Sequence, residues 1–107
     1  MTRTIAPREL ADLLESDYAP VVLDVRRPSD YEQDEALLPG AAWRDPGQVE
    51  QWALKLPSER EVVIYCVRGG SVSNSVLDAL LAQGVRARYV EGGLEAWKRL
   101  GGRTVAG

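Results

Sequence analysis

The chain has 107 residues, 45% of them hydrophobic and 27% charged, and a net charge of −3. This is the composition of a soluble globular protein of one domain, with no basic footprint for nucleic acid. One cysteine and no histidine exclude an internal disulfide framework and Cys-His or Ser-His catalysis, and they leave no ligand set for a transition metal. No apolar run reaches the length of a membrane span, and the opening MTRTIAPREL lacks the apolar core of a signal peptide. A cytoplasmic protein, monomeric or weakly dimeric, is expected.

In chain order, Pro7 suits the first position of a short helix whose stripe is Leu10, Leu13 and Leu14. Residues 16–20 form a turn, and the apolar run 21–26 reads as a strand ending in charge. If that strand continues, Asp24 and Arg26 share a face; an ion pair tying the strand end to its loops is favoured over a direct catalytic role. Residues 28–32 begin a turn or short helix with Ser29 as its cap, and residues 33–43 are mostly loop around Pro39-Gly40. Asp45 and Pro46 open a further helix carrying Val49, Trp52, Ala53 and Leu56 on one face. Val62–Tyr65 is a second buried strand, residues 74–83 a helix closed by Gly84, and residues 85–90 a third strand. Glu91-Gly92-Gly93 leads into a helix with Leu94, Trp97 and Leu100 facing inward, stopped by Gly101-Gly102, and residues 103–107 read as a frayed tail. Alternating helices and strands argue an α/β fold with a mainly parallel central sheet and helices on both faces. Sites in such folds gather at the carboxyl ends of strands, where Asp24, Arg26, Cys66 and Gly92-Gly93 all fall.

Cys66 follows the central strand directly, and Val67, Arg68, Gly69, Gly70, Ser71 and Val72 come after it. A loop turning from a buried strand into a helix presents several backbone N–H groups to one hollow, and paired glycines let it curl without a Cβ clash. The helix start adds positive potential, and Arg68 adds a full charge. Such surroundings favour the thiolate of a cysteine at the floor, a nucleophile placed where an anion docks. The competing reading is a buried, inert thiol. An inert thiol needs neither the Gly-Gly loop nor the arginine, so the reactive reading is preferred.

Four segments, Leu23-Asp24-Val25-Arg26, Pro39-Gly40-Ala41, the strand with its Cys66 loop, and Glu91-Gly92-Gly93-Leu94-Glu95-Ala96-Trp97, together make the chain resemble the rhodanese-like family of sulfurtransferases over nearly its whole length. The resemblance implies that Cys66 takes the outer sulfur of a small anionic donor such as thiosulfate as a persulfide. A thiophilic acceptor, cyanide or a small or protein thiol, then receives it. No cofactor, metal, nucleic acid or membrane is implied. Arg68 is assigned to donor binding, and the Ser71 hydroxyl to the cysteine sulfur or the donor. Asp24 and Arg26 support the site. Relatives often carry Gly-His-Ile before the Pro-Gly-Ala turn, where this chain has Ala36-Leu37-Leu38. A non-catalytic binding module is the alternative, disfavoured by the retained cysteine. A phosphatase or arsenate reductase is disfavoured further, because the position six after Cys66 is Val72, where those relatives need arginine to grip the oxyanion.

Overall fold

Two apolar runs set the sheet. Val21–Asp24 and Val62–Tyr65 pair in parallel, with Leu23 opposite Ile64 and Asp24 opposite Tyr65. The structure, a computed structural model, describes residues 3–106. Its strands are β1 (Thr4–Ile5), β2 (Val21–Asp24), β3 (Ala36–Leu37), β4 (Ala42–Trp43), β5 (Val62–Tyr65), β6 (Ala87–Val90) and β7 (Val105–Ala106). Its helices are α1 (Pro7–Leu14), α2 (Pro28–Gln33), α3 (Val49–Trp52), α4 (Ser71–Ala82) and α5 (Gly93–Arg99). Five strands form one parallel sheet in the order β1-β6-β5-β2-β4.

Side chains alternate across this sheet as the pleat requires. Val22, Val63 and Tyr65 enter a layer with Leu10 of α1 and Leu94 and Trp97 of α5. Leu23, Val62 and Ile64 enter the opposite layer with Val76, Leu77 and Leu80 of α4 and with Ala53. Each fully buried Val, Leu or Ile among them contributes about 1.5–3 kcal/mol, which explains why the continuous apolar runs 21–23 and 62–65 serve here. No helix among the described residues is long and apolar enough to cross a membrane.

Several elements differ from the expectation. Residues 33–43 hold two short strands, β3 and β4, and β1 precedes α1. The tail is not frayed through residue 106, since β7 pairs antiparallel with β3; Gly107 lies outside the described residues. The anchor is Trp97, whose indole Nε1 donates to Arg103 O at 2.9 Å, while Gly102 packs where a Cβ would come within 2.4 Å of that ring. α2 is capped at Arg27, not Ser29, because Pro28 takes the first helical position. The helix expected from Pro46 breaks into 3-10 turns on either side of α3. Asp45 O already accepts from Gln48 N–H at 3.0 Å and Trp52 Nε1 at 2.8 Å, so it does not serve a regular i→i+4 bond. The sheet strands are shorter than expected at Arg26 and Val85, and α4 begins at Ser71, earlier than Asn74.

Candidate functional site

The sheet register brings the ends of β2 and β5 level. Val25 N–H donates to Tyr65 O at 2.9 Å, so the residue after β2 and the end of β5 share one rim. Cys66 is the next residue. It is only 5% exposed, yet it lines a solvent-open cavity of about 480 Å³. Val67, Arg68, Gly70, Ser71 and Val72 form one side of that cavity, and Arg26, Arg27 and Asp30 the other. Gly69 is not on the wall. It makes the turn at φ +72°, in a space where a Cβ would lie 3.0 Å from Val90 O and 3.1 Å from Gly92 N.

The second glycine pair fixes the direction of this loop. Leu94 N–H donates to Cys66 O at 2.8 Å and Glu95 N–H to Val67 O at 3.0 Å. A planar trans peptide points its N–H opposite to its carbonyl, so the N–H groups of Val67 and Arg68 turn away from α5. The approach is possible because Gly93, at φ +60°, has no Cβ; one would lie 2.4 Å from Cys66 O. Among the described residues, no N–H from Val67 to Ser73 finds an acceptor in the chain. The first that does is Asn74, which donates to Gly70 O at 3.1 Å. A run of unclaimed amide donors opening into a helix start is the arrangement that holds anions.

The hydroxyl nearest the sulfur is that of Ser73, whose Oγ lies 2.9 Å from Cys66 Sγ and is fully buried. Of the two roles the sequence offers Ser71, the cysteine sulfur or the donor, the sulfur contact belongs to Ser73; Ser71 is exposed at the cavity wall. Because α4 begins at Ser71, the third residue of the helix points back under the loop. The signal was in the chain: Ser73 falls on the stripe of Val76, Leu77 and Leu80, a polar residue on a buried face.

Asp24 and Arg26 form a buried ion pair, with Arg26 Nη2 2.7 Å from Asp24 Oδ2. Burial works against the Arg26 charge, but the hydrogen bond and charge of Asp24 outweigh it and hold the guanidinium above its ordinary value. Arg26 Nη2 also donates to Ala36 O at 3.1 Å, and its guanidinium lies 5.3 Å from the Tyr31 ring centre. Trp43, which the sequence left without a role, stacks on Tyr31 and donates from Nε1 to Arg26 O at 2.9 Å. Desolvation first, and the Asp24 charge second, push the Tyr65 phenol far upward; its oxygen accepts from Leu38 N–H at 3.2 Å. These buried groups fasten the floor of the site.

Arg68 stands differently. Its side chain is 78% exposed and pairs with Glu95 at 2.9 Å. That bond and charge hold the Glu95 carboxyl below the usual carboxylate range. Arg68 therefore lines the cavity while sharing its charge with α5. Arg27 went unnoticed in the sequence, since nothing in a periodic pattern marks which of two adjacent arginines turns outward.

The rhodanese-like domain family matches residues 6–100. The chain belongs to the rhodanese-like family. A curated relative, the thiosulfate sulfurtransferase GlpE of Coxiella burnetii, is 33% identical over 79 residues, covering 73% of this chain and 71% of that protein. The probable adenylyltransferase/sulfurtransferase MoeZ of Mycobacterium tuberculosis is 31% identical over 98 residues. That match covers 90% of this chain but only 24% of MoeZ, so the chain spans about a quarter of that relative. A rhodanese-related protein from Thermoplasma volcanium shares the fold at TM-score 0.83 and 22% identity, over 97% of this chain and 98% of that one. The rhodanese-like fold, with its parallel five-stranded sheet, accounts for the placement of the cysteine loop at the strand ends.

Proposed function

We propose that this rhodanese-like protein is a sulfurtransferase working through a Cys66 persulfide. The Cys66 thiolate attacks the outer sulfur of an anionic donor such as thiosulfate. A sulfur–sulfur bond forms on Cys66, the donor's own sulfur–sulfur bond breaks, and sulfite leaves with the bonding pair. The persulfide keeps one negative charge on its outer sulfur. A thiolate or cyanide then attacks that outer sulfur, carries it off as a new persulfide or thiocyanate, and restores the Cys66 thiolate. Covalent catalysis of this kind divides one transfer into two easier ones.

The observation that carries the reading is the row of unclaimed N–H groups from Val67 to Ser73 that directly follows a cysteine lining an open cavity. Fixed donors stabilise negative charge at the moment it develops on an attacked or departing atom. Ser73 adds a hydroxyl donor at the sulfur itself. The loop holds no arginine six positions after Cys66, where Val72 stands half-buried on the wall; this favours a sulfur donor over a phosphate or arsenate.

Steady-state rates of thiocyanate formation, with thiosulfate and cyanide varied together, test the proposal. Parallel double-reciprocal lines are expected, with no turnover in Cys66→Ser. A wild-type protein that makes no thiocyanate and instead co-purifies with a stable partner would point to a binding module. Cys66-dependent hydrolysis of an aryl phosphate would point to a phosphatase.

A further inference from the structure

Two arginines follow β2, and they face opposite ways. Arg26 turns inward and is 2% exposed, while Arg27 is exposed at the rim. Arg27 lines the cavity over Cys66 and also a larger cleft of about 770 Å³ walled by the start of α2, the first turns of α4 and the Asp45-Pro46-Gly47 turn, whose carboxylate lies beyond ion-pair distance of Arg27.

The cations around Cys66 are not equivalent. Arg26 is neutralised by Asp24 at 2.7 Å and Arg68 is paired with Glu95 at 2.9 Å. Among the described residues, Arg27 has no carboxylate within ion-pair distance. Its backbone is nevertheless fixed. Arg26 N–H donates to Asp24 Oδ1 and Arg26 O accepts from Trp43 Nε1, both at 2.9 Å, and Arg27 O accepts from Tyr31 N–H at 3.0 Å. A free charge on an anchored stem is suited to meet a ligand. Asp30, one turn along α2, lines the same cavity with the opposite sign and likewise has no ion-pair partner among the described residues.

We propose that Arg27 sets the charge preference of the Cys66 cavity, docking the sulfonate end of a dianionic donor, and that Asp30 opposes it. The inference rests on the sulfur-transfer reading, in which a thiolate must receive a second anion and sulfite must leave with its electron pair. The loop's amide donors share the work of bringing two anions together, and a cation whose charge is not already taken lowers the cost further. Paired Arg26 and Arg68 supply less of that than Arg27 does.

The test is donor kinetics with cyanide as fixed acceptor, using thiosulfate, a dianion, and methanethiosulfonate, a monoanion. Coulomb energy scales with ligand charge, so Arg27→Gln should lower kcat/KM about tenfold for thiosulfate and about threefold for the thiosulfonate, chiefly through KM. Asp30→Asn should shift the thiosulfate KM the other way, and Arg27→Lys should restore most of the loss. Added salt should weaken thiosulfate binding in wild type more than in Arg27→Gln. Equal losses for the two donors, or a thiosulfate KM unmoved by Arg27→Gln, would overturn the assignment while leaving sulfur transfer intact. A wild type that takes sulfur from neither donor would instead overturn the sulfur-transfer reading, and this inference with it.

Discussion

Two strand-to-helix corners lie side by side on the rim, each built around a glycine pair, and they do opposite things with their backbone hydrogens. After β5, the corner with Gly69 and Gly70 leaves the N–H groups of residues 67–73 without an acceptor in the described chain. After β6, the corner with Gly92 and Gly93 commits the Leu94 and Glu95 N–H groups to the carbonyls of Cys66 and Val67. The second corner thereby decides which way the first one faces. The same local pattern thus builds an anion-receiving loop once and its support once. What separates the two is the cysteine before the first pair and the carbonyls against the second.

The contrast breaks most severely at Gly93. An alanine there would meet Cys66 O at 2.4 Å with φ at +60°, so Gly93→Ala should cost about 3 kcal/mol or more in urea denaturation. A cost below about 1 kcal/mol would show that the clamp is slack. Within the first corner the two glycines should separate. Gly69, with its positive φ and close carbonyl, should lose about 1–2 kcal/mol on change to alanine. Gly70, whose added Cβ meets nothing within 4 Å, should change by no more than about 0.5 kcal/mol. Equal effects would contradict the loop geometry. Ser73→Ala removes the hydroxyl beside the sulfur and should slow sulfur uptake from thiosulfate on the order of tenfold, read by quenched-flow mass analysis; an unchanged rate would remove Ser73 from the site.

The smallest effect concerns acid. Arg68 holds the Glu95 carboxyl low, and Lys98, by hydrogen bond and charge, does the same for Asp34. A carboxyl depressed in the folded state stabilises above its unfolded value of about 4 and loses that contribution as pH falls through the folded value. Both pairs are exposed and screened. A slight fall in Tm on acidification below about pH 4 is expected, and Glu95→Gln should flatten part of it. A Tm that rises on acidification would reverse the sign of this linkage.

The parts of the fold legible in the chain were those with enough residues to show a period. Val62–Tyr65 announces a doubly covered strand, and Leu10, Leu13 and Leu14 announce a helix face. β1, β3, β4 and β7 have two residues each, too few to carry any repeat, and β7 pairs with β3 from the far end of the chain. The site was legible at Cys66 and its glycines, because a strand ending in a cysteine and a Gly-rich turn is local information. The Arg68–Glu95 pair, the Ser73 contact and the outward turn of Arg27 depend on where α4, α5 and Trp43 pack. Ser73 alone left a trace, a hydroxyl on an apolar stripe.

The measurement that bears most directly on the account is intact-mass analysis after thiosulfate is added and then removed, with no acceptor present. Wild type should gain the mass of one sulfur atom, located at Cys66 by peptide mapping and released by cyanide, and Cys66→Ser should gain none. A wild type that stays at its starting mass, or a variant that gains the same mass, would contradict the assignment of sulfur transfer to this cysteine.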